Sequence, residues 1–555
     1  MSAIKCPWTS LYPPHVAPSL ETHPMRAETL TEAWAHRVRD EPDGSTIEYL
    51  DLNWNATQVN DLANALAVCF QTKGVGYGDR VGVQLQNVPQ FALCMLALWK
   101  LGAVPLILNT MYGAHELTII LNDASPVGLV SSETSVEEVT KLDLDGPTPW
   151  VLCTDDHDLA QLKRQHHEAT PSEEGLVRSL LPHLGSVPEP VRVTGDDAAL
   201  LTYTSGTTGS PKGAVGSHTN LLSVGYGVQQ WLDVCPGEGV LAVAPLFHIT
   251  GAVATAAMAL TVGRAPLIFV GRVRPDSMLC GLRNHSVHHI LGSITVYNAL
   301  LDSPEPRIED FSGLKSVYSG GAPVPPATVK KFEDRFGHYI HNVYGMTETA
   351  SAVIGVPLGR RAPVDELSGS LSIGVPLPGL LARVVDPHGH EVETGTMGEL
   401  VLSGPQCTQE YLNKADATAE TIRDGWLHTG DVALLDADGW VYLIDRQKDQ
   451  INVSGYKVWP REVEDVIYEH SAVREVAVVG LSDDYSGERV VAFVSLQAGK
   501  SLTPAEVTSM VRERLAAFKV PKDVFVIDEL PKTPTGKIQR RVLRNSHRNV
   551  RPRKD

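Results

Sequence analysis

The residues with the clearest chemical content in this chain are Thr204-Ser205-Gly206-Thr207-Thr208-Gly209-Ser210-Pro211-Lys212-Gly213. The string follows an apolar strand pattern, Ala198-Ala199-Leu200-Leu201-Thr202-Tyr203. Gly206, Gly209 and Gly213 remove side chains where a backbone must approach a ligand closely. The hydroxyls and successive N–H groups suit phosphate oxygens, and Lys212 adds a cation. The spacing is not the G-x-x-x-x-G-K-[ST] of P-loop NTPases. Phosphate binding by a different glycine-rich loop is the chemistry to expect.

Further short motifs follow in order: Pro245-Leu246-Phe247-His248-Ile249-Thr250-Gly251, Ser319-Gly320-Gly321-Ala322-Pro323, Tyr344-Gly345-Met346-Thr347-Glu348-Thr349, Thr429-Gly430-Asp431, Asp445-Arg446-Gln447-Lys448-Asp449 and Pro531-Lys532-Thr533-Pro534-Thr535-Gly536-Lys537-Ile538. Taken singly, each is an ordinary turn or a charged linker. Their order and spacing give them value. With the ten-residue string they make the chain resemble the adenylate-forming (AMP-binding) superfamily of acyl-CoA synthetases, luciferases and peptide-synthetase adenylation domains. The resemblance covers nearly the whole length. It is nearest to acyl-CoA synthetases of the medium/long-chain fatty-acid type, including Tyr12-Pro13-Pro14, Gly78-Asp79-Arg80 and Leu108-Asn109-Thr110-Met111-Tyr112.

The resemblance implies roles. Thr204, Ser205, Gly206, Thr207, Thr208, Gly209 and Lys212 bind ATP, and Gly320, Gly321 and Ala322 border its adenine. Tyr344 stacks on the adenine. Thr347 hydrogen-bonds the α-phosphate, and Glu348 ligates Mg²⁺, a hard cation that prefers carboxylate and phosphate oxygens. Asp431 accepts the ribose hydroxyls, Arg446 reaches ribose or phosphate, and Lys448 is the hinge. Lys537 neutralises the charge that builds on the phosphoryl oxygens when a carboxylate attacks the α-phosphorus. His248 lies near the substrate carboxylate. Ser454, Gly455 and Tyr456 line the path of coenzyme A.

The implied reaction has two halves. A small-molecule carboxylic acid, fatty or aryl, and ATP give acyl-AMP and pyrophosphate; the small domain then pivots and the thiol of CoA attacks the mixed anhydride. Relatives that transfer the acyl group to an amine, or that adenylate for nitrite as diazotases do, would carry the same motifs, so the acceptor stays open. A binding protein without catalysis is opposed by the presence of both Lys537 and Glu348. No carrier domain is expected after Lys537. Ile294 stands where relatives usually place proline, near the acyl pocket. His285, His288 and His289 cluster just upstream and read as packed or surface histidines in preference to a metal site.

These residues need a scaffold of several domains, since 555 residues exceed the usual ~100–150 of one domain. Hydrophobic content of 43% and charged content of 20% are globular values. Helical spacing at Ala63-Leu66-Ala67-Phe70, a strand at Val81–Leu85, an apolar helix from Pro89 to Trp99 and a strand at Ala103–Leu108 predict an α/β layer fold. Residues 135–195 are acidic and weakly periodic, and read as a surface excursion. Short strands with Gly and Asp turns over 370–445 predict a small β subdomain. Beyond it, helices at Pro460–Glu469 and Pro504–Phe518 and a strand at Val490–Val494 predict a mobile α+β domain. The domains are set at 1–445 and 450–555, with a hinge at 446–449.

The net charge of −18, from Lys+Arg 47 against Asp+Glu 65, argues against nucleic acid and anionic membranes as partners. Seven scattered cysteines with no C-x-x-C pair predict reduced cytoplasmic thiols. The N-terminus shows no apolar signal region. The uncharged stretch from Gly239 to Gly263 is interrupted by Pro245, His248 and Gly251, and reads as a buried loop and core helix. The basic run Arg540, Arg541, Arg544, Arg548, Arg551, Arg553 and Lys554 reads as a solvated end. A homodimer is the assembly expected.

Overall fold

A computed structural model describes residues 6–18, 27–132, 139, 141–154, 159, 175–204, 211–322, 324–365, 370–446, 449–454, 456–483, 486–533 and 537–547, with Arg446 described by its backbone alone. Apolar runs too continuous for a half-solvated strand fold here as the centres of parallel sheets. Val104–Ile107 is buried at every position and pairs in parallel with Arg80–Gln84 and Ala198–Thr204. Gly128–Ser132, Trp150–Thr154 and Lys212–Ser217 complete this six-stranded sheet, parallel except for its last pair. The helix Pro89–Lys100 is buried from Pro89 to Trp99, which explains its lack of a polar face. Ala56–Thr72 starts at a reciprocal cap between Asn55 and Gln58.

A nine-stranded sheet packs beside it. Its centre runs in parallel through Ser45–Tyr49, Leu267–Phe269, Gly239–Leu241, Val287–Gly292, Ser316–Ser319 and His341–Met346. Antiparallel Ser351–Gly355 then reverses the chain. Ser319 and Met346 are the carboxyl ends of two central strands, the place where open α/β sheets bind ligands. Leu381–Val385, Gly398–Ser403, Trp426–Leu435 and Val441–Arg446 form an antiparallel sheet, as the 370–445 pattern predicts. The N-terminal arm is tied down by Tyr12, whose hydroxyl donates to Pro376 O at 2.6 Å and whose ring meets Trp231 edge-on at 5.2 Å.

The C-terminal part has its own core. The long hairpin Val473–Asp483 and Gly487–Leu496 is covered by helices Pro460–Tyr468 and Pro504–Arg514. Arg461, 4% exposed, reaches back: its Nη1 donates to Leu443 O at 3.0 Å and its backbone N–H to Asp445 Oδ2 at 3.2 Å.

The fold departs from the sequence reading in three places. The 135–195 stretch contributes the edge strand Trp150–Thr154, whose single short apolar run is masked by acidic and proline-rich neighbours. The second C-terminal helix stops at Arg514, where Leu515 turns extended, short of Phe518. The basic run is not wholly solvated: Arg540–Ser546 is a helix whose Arg540 and Arg544 are ion-paired. The stretch 239–263 holds the expected buried loop and helical segment, preceded by the short strand Gly239–Leu241. Thr250–Ala257 is wound as a π-helix and continues as Met258–Leu260. Among the described residues no helix is long and apolar enough to cross a membrane.

Candidate functional site

The strands that flank the glycine-rich string, Ala198–Thr204 and Lys212–Ser217, form an antiparallel pair. Thr204 stands opposite Lys212, and Thr204 Oγ1 donates to Lys212 O at 3.4 Å. Ser205, Gly206, Thr207, Thr208 and Gly209 lie outside the described residues. A distant segment docks along this hairpin: Val215 N–H donates to Glu410 O at 3.2 Å and Leu412 N–H to Gly213 O at 2.8 Å. Docking brings Tyr411 beside Lys212. Lys212 Nζ lies 5.1 Å from the centre of its ring, within cation–π range. The Tyr411 hydroxyl donates to Glu348 Oε1 at 2.6 Å. Burial, followed by the adjacent Glu348 charge, pushes the phenol well above its ordinary range, so Tyr411 stays a donor.

Glu348, 7% exposed, sits in the 3₁₀ turn Thr347–Thr349 that ends the strand His341–Met346. The chain leaves that turn through two left-handed non-glycine residues, Ala350 at φ 50° and Ser351 at φ 123°. Such strain persists only where surrounding structure enforces it. Gly345 is required: a Cβ there would lie 1.8 Å from Ser351 O.

The residues expected at the nucleoside come from three strands. Ser316–Ser319 delivers Gly320, where a Cβ would meet Val343 Cγ2 at 2.8 Å, and Gly321, held at φ +80°. Ala322 packs against the neighbouring apolar cluster. Tyr344 donates its hydroxyl to Asp431 Oδ2 at 2.7 Å, so the residues expected at adenine and ribose already touch. Asp431 is 6% exposed, its N–H donates to Thr429 Oγ1 at 3.1 Å, and its backbone is in register with Arg446.

Lys537 arrives from the C-terminal part. Its loop closes on itself, with Thr533 N–H donating to Lys537 O at 2.7 Å and Lys537 N–H to Thr533 Oγ1 at 3.0 Å. The side chain reaches the Gly320-Gly321 turn: a Cβ on Gly321 would lie 3.8 Å from Lys537 Cε. It also acts on His248, whose pKa is lowered to about 3, chiefly by burial and then by the Lys537 charge. His248 Nδ1 accepts from Thr250 N–H at 3.3 Å, so the neutral ring carries its proton on Nε2.

The remaining expectations divide. Ser454, left-handed at φ 52°, donates its N–H to Ser486 O at 2.7 Å, and Tyr456 stacks on Phe518 with centroids 4.8 Å apart. Ser454 follows the strand Ile451–Val453 and Tyr456 opens the strand Tyr456–Val458, a pair of the C-terminal sheet. Lys448 and Gly455 lie outside the described residues. The histidines upstream of Ile294 are packed: His285 Nδ1 is 2.7 Å from Glu48, and His289 is enclosed between Ser316 and Glu238. Among the described residues no group of three or more His, Cys, Asp or Glu side chains could hold a metal ion. Tyr411 was missed by the sequence reading; only the pairing of residues 410–412 with the hairpin brings it to the site.

An α/β body whose strand ends face a lysine from a separately cored C-terminal unit defines the class: an enzyme that handles a nucleotide between two lobes. The chain belongs to the AMP-binding enzyme family, whose model matches residues 34–412, with the model of the AMP-binding enzyme C-terminal domain matching residues 462–537. It is 32% identical over 561 residues to a long-chain-fatty-acid–CoA ligase of Salmonella typhimurium, covering 98% of each chain. It is 33% identical over 514 residues to a feruloyl-CoA synthase of Amycolatopsis, covering 93% of this chain and 98% of that one. Among solved structures it resembles ATP-bound MatB from Rhodopseudomonas palustris, with a TM-score of 0.84, 28% identity, and coverage of 94% and 99%.

Proposed function

We propose that this chain is an ATP-dependent carboxylate–CoA ligase acting on a fatty or aryl acid, by way of an acyl-adenylate. The observation that carries the reading is the placement of Lys537 beside Gly321 and His248. A cation from the C-terminal unit thereby meets the turn assigned to the nucleotide. The names of the relatives, which include fatty-acid and feruloyl substrates, support the acid class and the thiol acceptor.

In this reading the Thr204–Lys212 hairpin and Lys212 hold the ATP phosphates, while Tyr344, Asp431 and Arg446 hold the nucleoside. The acid's carboxylate attacks the α-phosphorus and pyrophosphate leaves. Lys537 and Thr347 stabilise the charge on the phosphoryl oxygens. Neutral His248, with its proton on Nε2, offers a hydrogen bond to the acid without competing for its charge. Glu348 fits Mg²⁺ as a buried carboxylate fixed through one oxygen by Tyr411, and the ion would neutralise phosphate charge there. The unit 450–555 then turns about Lys448 in the 446–449 hinge, withdrawing Lys537 and bringing Ser454, Gly455 and Tyr456 to the CoA thiol. The separate core of the C-terminal sheet supports dividing the chain there from 1–445. All seven cysteines are free thiols, which supports a cytoplasmic setting.

The test is a panel of carboxylic acids scored by pyrophosphate release with CoA, with amines and with nitrite. CoA-dependent release of AMP and an acyl-thioester supports the reading. Turnover only with an amine or nitrite replaces the acceptor. No acid-dependent exchange of labelled pyrophosphate into ATP rejects adenylation altogether.

A further inference from the structure

Lys537 must be carried to the site with its reach preserved, yet the helix that follows its loop is poorly anchored. Arg540–Ser546 has seven residues and buries only Leu543. Isolated helices shorter than ~12–15 residues are marginal in water, so tertiary ties must fix this one. Two such ties are ionic. Arg540 Nη2 donates to both Glu464 oxygens at 2.8 Å, and Arg544 Nη2 donates to Asp449 Oδ1 at 2.7 Å. Arg540 Nη1 lies 3.6 Å from Asp449 Oδ2, so one carboxylate faces both guanidinium groups. Glu464 is itself fixed, accepting Val478 N–H at 2.7 Å. Asp449 lies at the exit of the hinge in the reading above, and Arg540 is three residues beyond Lys537.

We infer that Arg540 and Arg544 are positioning residues. They clamp the Lys537 loop to the hinge exit at Asp449, so that rotation moves the lysine as a rigid arm. The loop is already closed internally by Gln539 N–H donating to Pro531 O at 2.8 Å and Gln539 Nε2 to Lys532 O at 3.0 Å. The clamp fixes where that closed loop sits relative to the pivot. This inference rests on the assignment of Lys537 to adenylation. It gives two arginines of the basic run a mechanical role in the first half-reaction and none in the second.

The experiment measures both halves in the full chain. Arg544→Ala and Arg540→Gln should slow acid-dependent pyrophosphate–ATP exchange about 10- to 100-fold, the range expected for a catalytic group displaced by ~1 Å. The KM for ATP and thioester formation from supplied acyl-adenylate should stay at wild-type values, while the melting temperature falls with the lost ion pairs. Arg544→Lys, which keeps the charge and loses the fork, should give a partial loss and is read if the alanine form is unstable. Asp449→Asn, which removes the charge that both guanidinium groups share, should slow exchange at least as much as Arg544→Ala. Equal losses in both halves, or unchanged exchange where Lys537→Ala abolishes it, would overturn the clamp alone. Exchange that survives Lys537→Ala would sink the adenylation reading, and the clamp with it.

Discussion

Tyr411 and Glu348, 63 residues apart in sequence, are joined by a hydrogen bond of 2.6 Å in a buried setting. The bond links the carboxylate proposed for Mg²⁺ to a ring that also lies under Lys212. One side chain thus touches both Lys212 and the turn that carries Glu348.

Tyr411→Phe keeps the ring and removes the donor. A hydrogen bond to a charged group contributes about 1.5–3 kcal/mol, so kcat/KM for MgATP should fall roughly 10- to 100-fold. Pyrophosphate exchange at varied Mg²⁺ checks this, and an unchanged Mg²⁺ dependence would detach Tyr411 from Glu348's function.

His248 titrates in the opposite sense to a paired histidine. Its folded pKa is about 3 against an ordinary 6.5, so below pH 6.5 the unfolded chain takes up a proton that the folded chain refuses. Stability is therefore lost as pH falls from 6.5 towards 3. His218, His289 and His341, each lowered to about 4, add to the same loss over 6.5 to 4. His248→Gln should flatten the fall of melting temperature below pH 6.5. In NMR titrations, Lys537→Ala should raise the His248 pKa only part of the way, because burial is the larger cause.

Gly345 and Gly321 should respond differently to alanine. At Gly345 the new Cβ would meet backbone at 1.8 Å, and Gly345→Ala should lose soluble protein or drop the melting temperature sharply. At Gly321 the nearest atom is 3.8 Å away and only the left-handed φ opposes the change. That strain costs about 1–2 kcal/mol, leaving a folded variant.

Arg461→Ala removes the bond that reaches across the proposed hinge to Leu443 O. Losing a hydrogen bond from a charged group costs about 1.5–3 kcal/mol. The orientation with Lys537 at the site should lose population, read as longer donor–acceptor distances between fluorophores on the two lobes and faster proteolysis at 446–449. Wild-type distances would show that the latch contributes nothing.

How much of this was legible beforehand depended on the range of the interactions. The Thr204–Gly213 string, the strand runs and the glycine turns are local, and their order along the chain places them at sheet ends. Tyr411 was hidden because its partner lies 63 residues away and nothing about Glu410-Tyr411-Leu412 marks it as an added strand. Trp150–Thr154 was hidden because an edge strand needs only a short apolar run. Arg540 and Arg544 read as solvated because charges beyond a loop usually are; Asp449 and Glu464 become their partners only once the sheet has formed. The wide winding at Thr250–Ala257 has no signature in a stretch so uniformly small and apolar.

That winding bears on how such a chain can diversify. A turn of i→i+5 bonds holds one residue more than an α-turn, so losing one from 250–257 would retighten the segment and leave the flanking strands in place. Because the wide turn absorbs the missing residue, side chains beyond it keep their directions and only those within 250–257 are redirected. Downstream of His248, a one-codon deletion would therefore reshape the neighbourhood proposed for the acid, where point substitution alone would trim it atom by atom.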